Sequence, residues 1–227
     1  MWYIALFGMI NIVYGALVAM AQKDFKKLIA YSSVSHMGFV LLGMASLTSA
    51  GINGAILQMF NHGIITAMLF LIVGVLYDRA HTRGLNDFGG IGLQMPVYTG
   101  FVIVAFFAAL GLPGLSGWVS EALVFIGAFG VDLIRTLTII STLGILLGAA
   151  YMLWTLQRVY LGKLNEKWAD LKDLDKRELI MFIPLTAIII LLGVYPSLAL
   201  DIMTTSVNTL VQFVNTNLAD LTSLTGF

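Results

Sequence analysis

The 227-residue chain contains no cysteine, which excludes disulfides, thiolate-bound zinc and iron–sulfur ligation by this polypeptide. Any redox cofactor has to sit on another chain. Charge is also scarce: Asp, Glu, Lys and Arg make up 11% of the residues, against about a quarter in a soluble domain. The twelve basic and twelve acidic side chains cancel, so overall charge implies neither a nucleic-acid surface nor an acidic partner. Enzyme signatures are missing as well. There is no HExxH metal motif and no nucleophile–base constellation, and the GGIG of Gly89–Gly92 lacks the preceding strand and following Lys-Ser/Thr of a phosphate loop. What fills the chain is apolar, 59% of residues with a mean hydropathy of +0.94. That is the composition of an integral membrane protein.

A spanning helix needs about 20 apolar residues. Five uninterrupted candidates are read at Trp2 to Ala21, Leu28 to Leu47, Ala55 to Tyr77, Leu137 to Tyr160 and Leu179 to Leu200. The first has no basic region before it and no small-residue cleavage site after it, so it reads as a mature helix rather than a signal peptide. A sixth run, Val97 to Gly130, is broken by GLPGLSG at Gly111–Gly117. Each half reaches only about 20 Å, so the two halves are expected to share one crossing. With six crossings, every Lys and Arg except Arg135 falls in loops on one side. Because basic loops stay in the cytoplasm, both termini are expected on the opposite face. The tail, 201–227, has no Lys or Arg and carries Val207, Leu210, Val211 and Val214 at helical spacing. We read it as a non-cytoplasmic interfacial helix with a frayed end. The basic run Lys163 to Arg177, interleaved with acids, reads as a solvated connector.

Three ionisable residues remain inside the spans: His36, His62 and Glu121. His36 lies about 15 Å in from Lys26, His62 lies at similar depth on the next helix, and Glu121 follows the helix break, so all three converge near the midplane. Such groups are costly in hydrocarbon and face a bundle interior or a wet path. Ser32 stands one turn before His36; Gln58, His62 and Thr66 form an i, i+4, i+8 stripe; Thr138, Ser141, Thr142, Tyr151 and Thr155 add hydroxyls. A lone intramembrane His also serves as hydrogen-bonding glue between helices. The carboxylate beside a helix break is in the setting where transporters place ion sites. Together the residues suit a proton relay, since imidazole titrates near neutral pH.

The stretches AQKDFKKLIAYSSVSHMGFV, LQMFNHG, LYDRAHTR and LGLPGLSGWVSE, in this order, resemble the antiporter-like subunit M family of NADH-quinone oxidoreductase, the respiratory complex I (chain 4 in mitochondria). The resemblance covers essentially the whole chain. It implies an all-α membrane fold of inverted five-helix repeats, each with one discontinuous helix, and proton movement driven by NADH oxidation by quinone. It puts functional residues at His36, His62 and Glu121, matches a loop motif at Asp24 and Lys26, and leaves Ser32, Gln58, Thr66 and Tyr151 as supporting polar residues. Family members have about fourteen helices. This chain resembles their carboxyl-terminal half: the second repeat, about 1–160, plus a closing helix, about 179–200, without the intramembrane lysines of the first half. The resemblance therefore implies partners: a complementary amino-terminal half, neighbouring antiporter-like subunits and the lipid bilayer. NADH, flavin, iron–sulfur clusters and quinone would be held by other subunits of the complex, with no cofactor on this chain. A bacterial inner membrane is the implied location. Two other readings stay open: a subunit of a multisubunit sodium/proton antiporter or membrane-bound hydrogenase, which share the module, and a non-conducting structural fragment of the complex.

Overall fold

The structure is a computed structural model that describes the backbone of residues 1–225 and side chains as far as Asn217. Long apolar runs form helices because a backbone in lipid has to satisfy its own N–H and C=O groups. The helices are α1 (Trp2–Met20), α2 (Phe25–Ser46), α3 (Ser49–Ala80), α4 (Pro96–Ala109), α5 (Ser116–Phe129), α6 (Asp132–Val159), α7 (Lys176–Val194) and α8 (Ser197–Thr225). Of these α1, α2, α3, α6 and α7 are long and apolar enough to cross a membrane, while α4 and α5 are shorter apolar helices of 14 residues each. Among the described residues no β-strand forms, only an isolated bridge between Asp24 and Gly84.

Most boundaries agree with the sequence reading to within a few residues. α3 begins earlier because Thr48 caps it, its hydroxyl accepting the Gly51 N–H at 3.1 Å. α7 stops at Val194 rather than Leu200 because Pro196 lacks an N–H and pushes Tyr195 out of helical geometry (φ −128°, ψ 66°).

Two segments differ more. α8 starts at Ser197 and is helical through Thr225, where fraying was expected; residues 226–227 lie outside the described residues. It is seated on the bundle by one face, with Val207 buried and Asn208 bonded to Ser49 at the start of α3. The α6–α7 connector keeps most of its charged residues exposed, as expected, but is pinned to the bundle by an apolar residue. Trp168 is buried, its ring 5.7 Å from that of Phe88 and its Nε1 donating to the Asp87 carbonyl at 2.8 Å. The apolar residues of a nominally polar loop provide the reason.

The helices approach closely where side chains are absent. A Cβ on Gly38 of α2 would lie 2.6 Å from the Gly8 carbonyl of α1, so these backbones are in direct contact. The apolar interior divides into two cores. One joins the N-terminal end of α2 (Phe25, Leu28, Ile29) and the C-terminal half of α3 (Ile65 to Ala80) with α4 and the last turns of α6. The other joins α1 and the C-terminal half of α2 (Phe39, Leu42, Ala45) with α5 (Val124, Phe125, Ala128) and the start of α6. The break between α4 and α5 is where the cores meet.

Candidate functional site

The seam between the two cores is polar. α2 brings His36 there, flanked by the buried Ser32 and Ser35, and α5 brings Glu121. The His36 Nδ1 lies 3.3 Å from the Glu121 Oε1, and both side chains are nearly buried. His36 Nε2 has no hydrogen-bond partner among the described residues. In a low-dielectric setting such a group demands a partner or a proton.

α3 supplies the second histidine. The His36 and His62 rings are 5.5 Å apart between centroids. Thr66 Oγ1 lies 3.1 Å from the His62 Nε2, one helical turn on. The stripe of Gln58, His62 and Thr66 therefore faces α2 and α5 as its spacing demands.

Two small cavities flank the His36–Glu121 pair. One, of about 10 Å³, is lined by Ser32, His36, Gln58, His62, Thr66 and Glu121. The other, also about 10 Å³, lies toward α6 and is lined by Ser35, His36, Glu121, Gly144, Gly148 and Tyr151. Each offers room for roughly one water. A titratable pair with a water-sized space on either side is a geometry for passing a proton from one space to the other.

The helix break shapes the pocket that Glu121 occupies. Gly111 ends α4 at φ +77°, a conformation that suits glycine, and a Cβ there would lie 2.8 Å from Glu121 Oε2. The carboxylate thus lies against bare backbone.

A second polar group holds α5 to α3. Asn61 Nδ2 donates to the Ser116 carbonyl at 2.7 Å and to Ser120 Oγ at 3.2 Å. The Ser120 hydroxyl in turn donates to Gln58 Oε1 and to the Gly117 carbonyl. Asn61, Ser116 and Ser120 were not among the residues singled out from sequence. Their only advance signal is that Ser116 and Ser120 are one turn apart, with Ser120 adjacent to Glu121.

The remaining sequence candidates separate. Tyr151 is buried and lines the α6-side cavity. The other α6 hydroxyls do not join a chain: Thr138, Ser141 and Thr155 each donate to the carbonyl four residues back, and Thr142 to Ile139 O. That back-bonding is the usual local alternative for hydroxyls inside a helix. Asp24 and Lys26 stand apart at the N-terminal end of α2. Asp24 caps α2 by accepting the Lys27 N–H at 3.0 Å and pairs with Arg83 at 3.5 Å; Lys26 is exposed. Among the described residues, no group of three or more His, Cys, Asp or Glu is placed to hold a metal.

Comparison with known proteins gives these features a context. A family model described as NADH:quinone oxidoreductase/Mrp antiporter, transmembrane, matches residues 1–148. NADH-quinone oxidoreductase subunit M of Rickettsia conorii is 45% identical over 213 residues, covering 93% of this chain and 43% of that protein. A chain of respiratory complex I from Thermus thermophilus superposes with a TM-score of 0.87 at 31% identity, over 93% of this chain and 44% of that one. A chain of the Mrp complex from Dietzia sp. shares the fold, with a TM-score of 0.81 at 19% identity over 92% of this chain and 47% of that one. The chain thus spans less than half the length of these relatives and matches their C-terminal part.

Proposed function

The chain belongs to the NADH:quinone oxidoreductase/Mrp antiporter membrane family, and from that premise we propose that it forms a proton-translocating portion of an NADH-quinone oxidoreductase, a translocase component with no redox chemistry of its own. The observation that carries the proposal is the His36–Glu121 contact of 3.3 Å, set between two water-sized cavities at the seam of the two cores. In this reading a proton moves between the cavities by way of Glu121 and His36, with His62 and Thr66 as the station beyond. NADH and quinone react on other subunits. Moving one charge against 100 mV costs about 2.3 kcal/mol, so the relay needs a conformational drive from the rest of the complex.

The architecture proposed is six crossings, with α4 and α5 sharing one of them. The repeat, α1 to α6, would be one of an inverted pair. Both termini would face away from the cytoplasm of a bacterial inner membrane. The complementary half would pack on the open side of α3. There His62 is only half-buried at mid-membrane depth, and Gly63 and Gly74 have nothing within 4 Å of where a Cβ would be. An imidazole left toward lipid is costly, so a protein surface is the favoured cover.

The test is Glu121→Gln in the assembled complex, read as protons moved per NADH oxidised. The proposal expects NADH oxidation to persist while proton movement attributable to this chain is lost. An unchanged ratio would assign the chain a scaffold role.

A further inference from the structure

The inner end of α4 lacks a cap of its own. Met95, at the cap position, contributes no side-chain hydrogen bond, and Pro96 has no N–H to offer. The carboxylate that satisfies the next two N–H groups comes from more than seventy residues away. Asp173, in the α6–α7 connector, accepts the Val97 N–H on Oδ2 at 2.8 Å and the Tyr98 N–H on Oδ1 at 3.0 Å.

Asp173 is itself fixed. Arg79, near the end of α3, donates to the Asp173 carbonyl at 3.2 Å and to the Lys172 carbonyl at 2.8 Å. The same guanidinium makes a two-pronged pair with Glu178 of α7 at 2.8 and 2.6 Å. Next to the capped turn, the Tyr98 hydroxyl donates to the Ile72 carbonyl of α3 at 2.7 Å. Just past the far end of α4 comes Gly111, whose backbone lies beside the Glu121 carboxylate. A helix of this length behaves as a rod, so what seats its first turn also sets where Gly111 presses on Glu121.

We propose that Asp173 is a positioning residue for the relay: by capping α4 it fixes the half-helix along its axis and thereby the surroundings of Glu121. This rests on the proton-relay reading above. Asp173 is outside the relay and touches no transferred proton. Its connector begins after α6 and ends at α7, and Asp173 holds α4 through its carboxylate and Arg79 of α3 through its carbonyl, so one residue links these elements.

The experiment compares Asp173→Ala and Asp173→Asn in the whole complex, again as protons per NADH, a ratio in which the amount of assembled complex cancels. Glu121→Gln is measured alongside. The aspartate accepts through both oxygens, the asparagine amide keeps one acceptor and alanine none, and full loss of the cap shifts the seated population roughly fivefold. We expect a clearly lowered ratio for Asp173→Ala and a smaller loss for Asp173→Asn. A wild-type ratio for Asp173→Ala, or equal loss in both variants, overturns the proposal while leaving the relay standing if Glu121→Gln still abolishes pumping. No effect of Glu121→Gln overturns the relay reading, and this proposal with it. Should Asp173→Ala fail to assemble, Asp173→Ser carries the test: its hydroxyl is one bond closer to its own backbone and falls short of the α4 N–H groups, so its ratio should fall below that of Asp173→Asn, and equality would overturn the proposal.

Discussion

The short helices α4 and α5 are the same length and similarly apolar, yet they are held in opposite ways. α4 belongs to the core it shares with α3 and is gripped at its first turn by Asp173 from a distant loop. α5 belongs to the core it shares with α1 and has no side-chain cap. It is held along its flank, where Asn61 and Gln58 of α3 engage Ser116 and Ser120. α5, with Glu121, is thus tied to α3 by side-chain hydrogen bonds along its flank, whereas α4 is registered by the α6–α7 connector. Glu121 sits where the two cores meet. Relative displacement of the two helices would therefore act first on the contact between Gly111 and Glu121.

That comparison is open to direct attack. The largest effect is expected at the junction, from Gly111→Ala. The left-handed φ costs a residue with a side chain about 1–2 kcal/mol, and the new methyl meets the carboxylate at 2.8 Å. Pumping per NADH should fall about tenfold, with a smaller loss of thermal stability. A variant that pumps normally would show that α4 and Glu121 are not in functional contact. A lesser effect is expected on the flank, from Asn61→Ala. Ser120 keeps its bonds to Gln58 and Gly117, so the cost should be about 1 kcal/mol, read as a lowered melting temperature of the complex with most pumping retained. Loss of pumping as severe as at Gly111 would mean that the flank, rather than the junction, governs the site.

What was legible in the sequence follows from what helical periodicity and depth encode. His36, His62 and Glu121 were found because each is ionisable within an apolar run at the same depth, and Gln58, His62 and Thr66 because i, i+4 spacing fixes a shared face. The break at GLPGLSG was legible from its glycines and proline. The Asn61 clamp was not, since it joins residues 55 and 59 positions apart and neither helix's pattern names its partner. The α6 hydroxyls misled for the opposite reason: Thr138, Ser141 and Thr155 look like a polar file, but each satisfies itself on its own helix. Asp173 was hidden inside a run whose alternating charges resemble any solvated loop. Its role depends on chain reversal after Tyr160, where Gly92 N–H bonds the Tyr160 carbonyl at 2.9 Å and draws the connector against the start of α4.

The central claim is that His36 and Glu121 act as one unit. The most direct test is a double-mutant cycle of His36→Gln, Glu121→Gln and the double variant, read as protons per NADH in the assembled complex. The account predicts that either single change removes nearly all of this chain's share of pumping and that the double variant is no worse than the singles. Partial losses that multiply in the double variant would show two independent residues and contradict it.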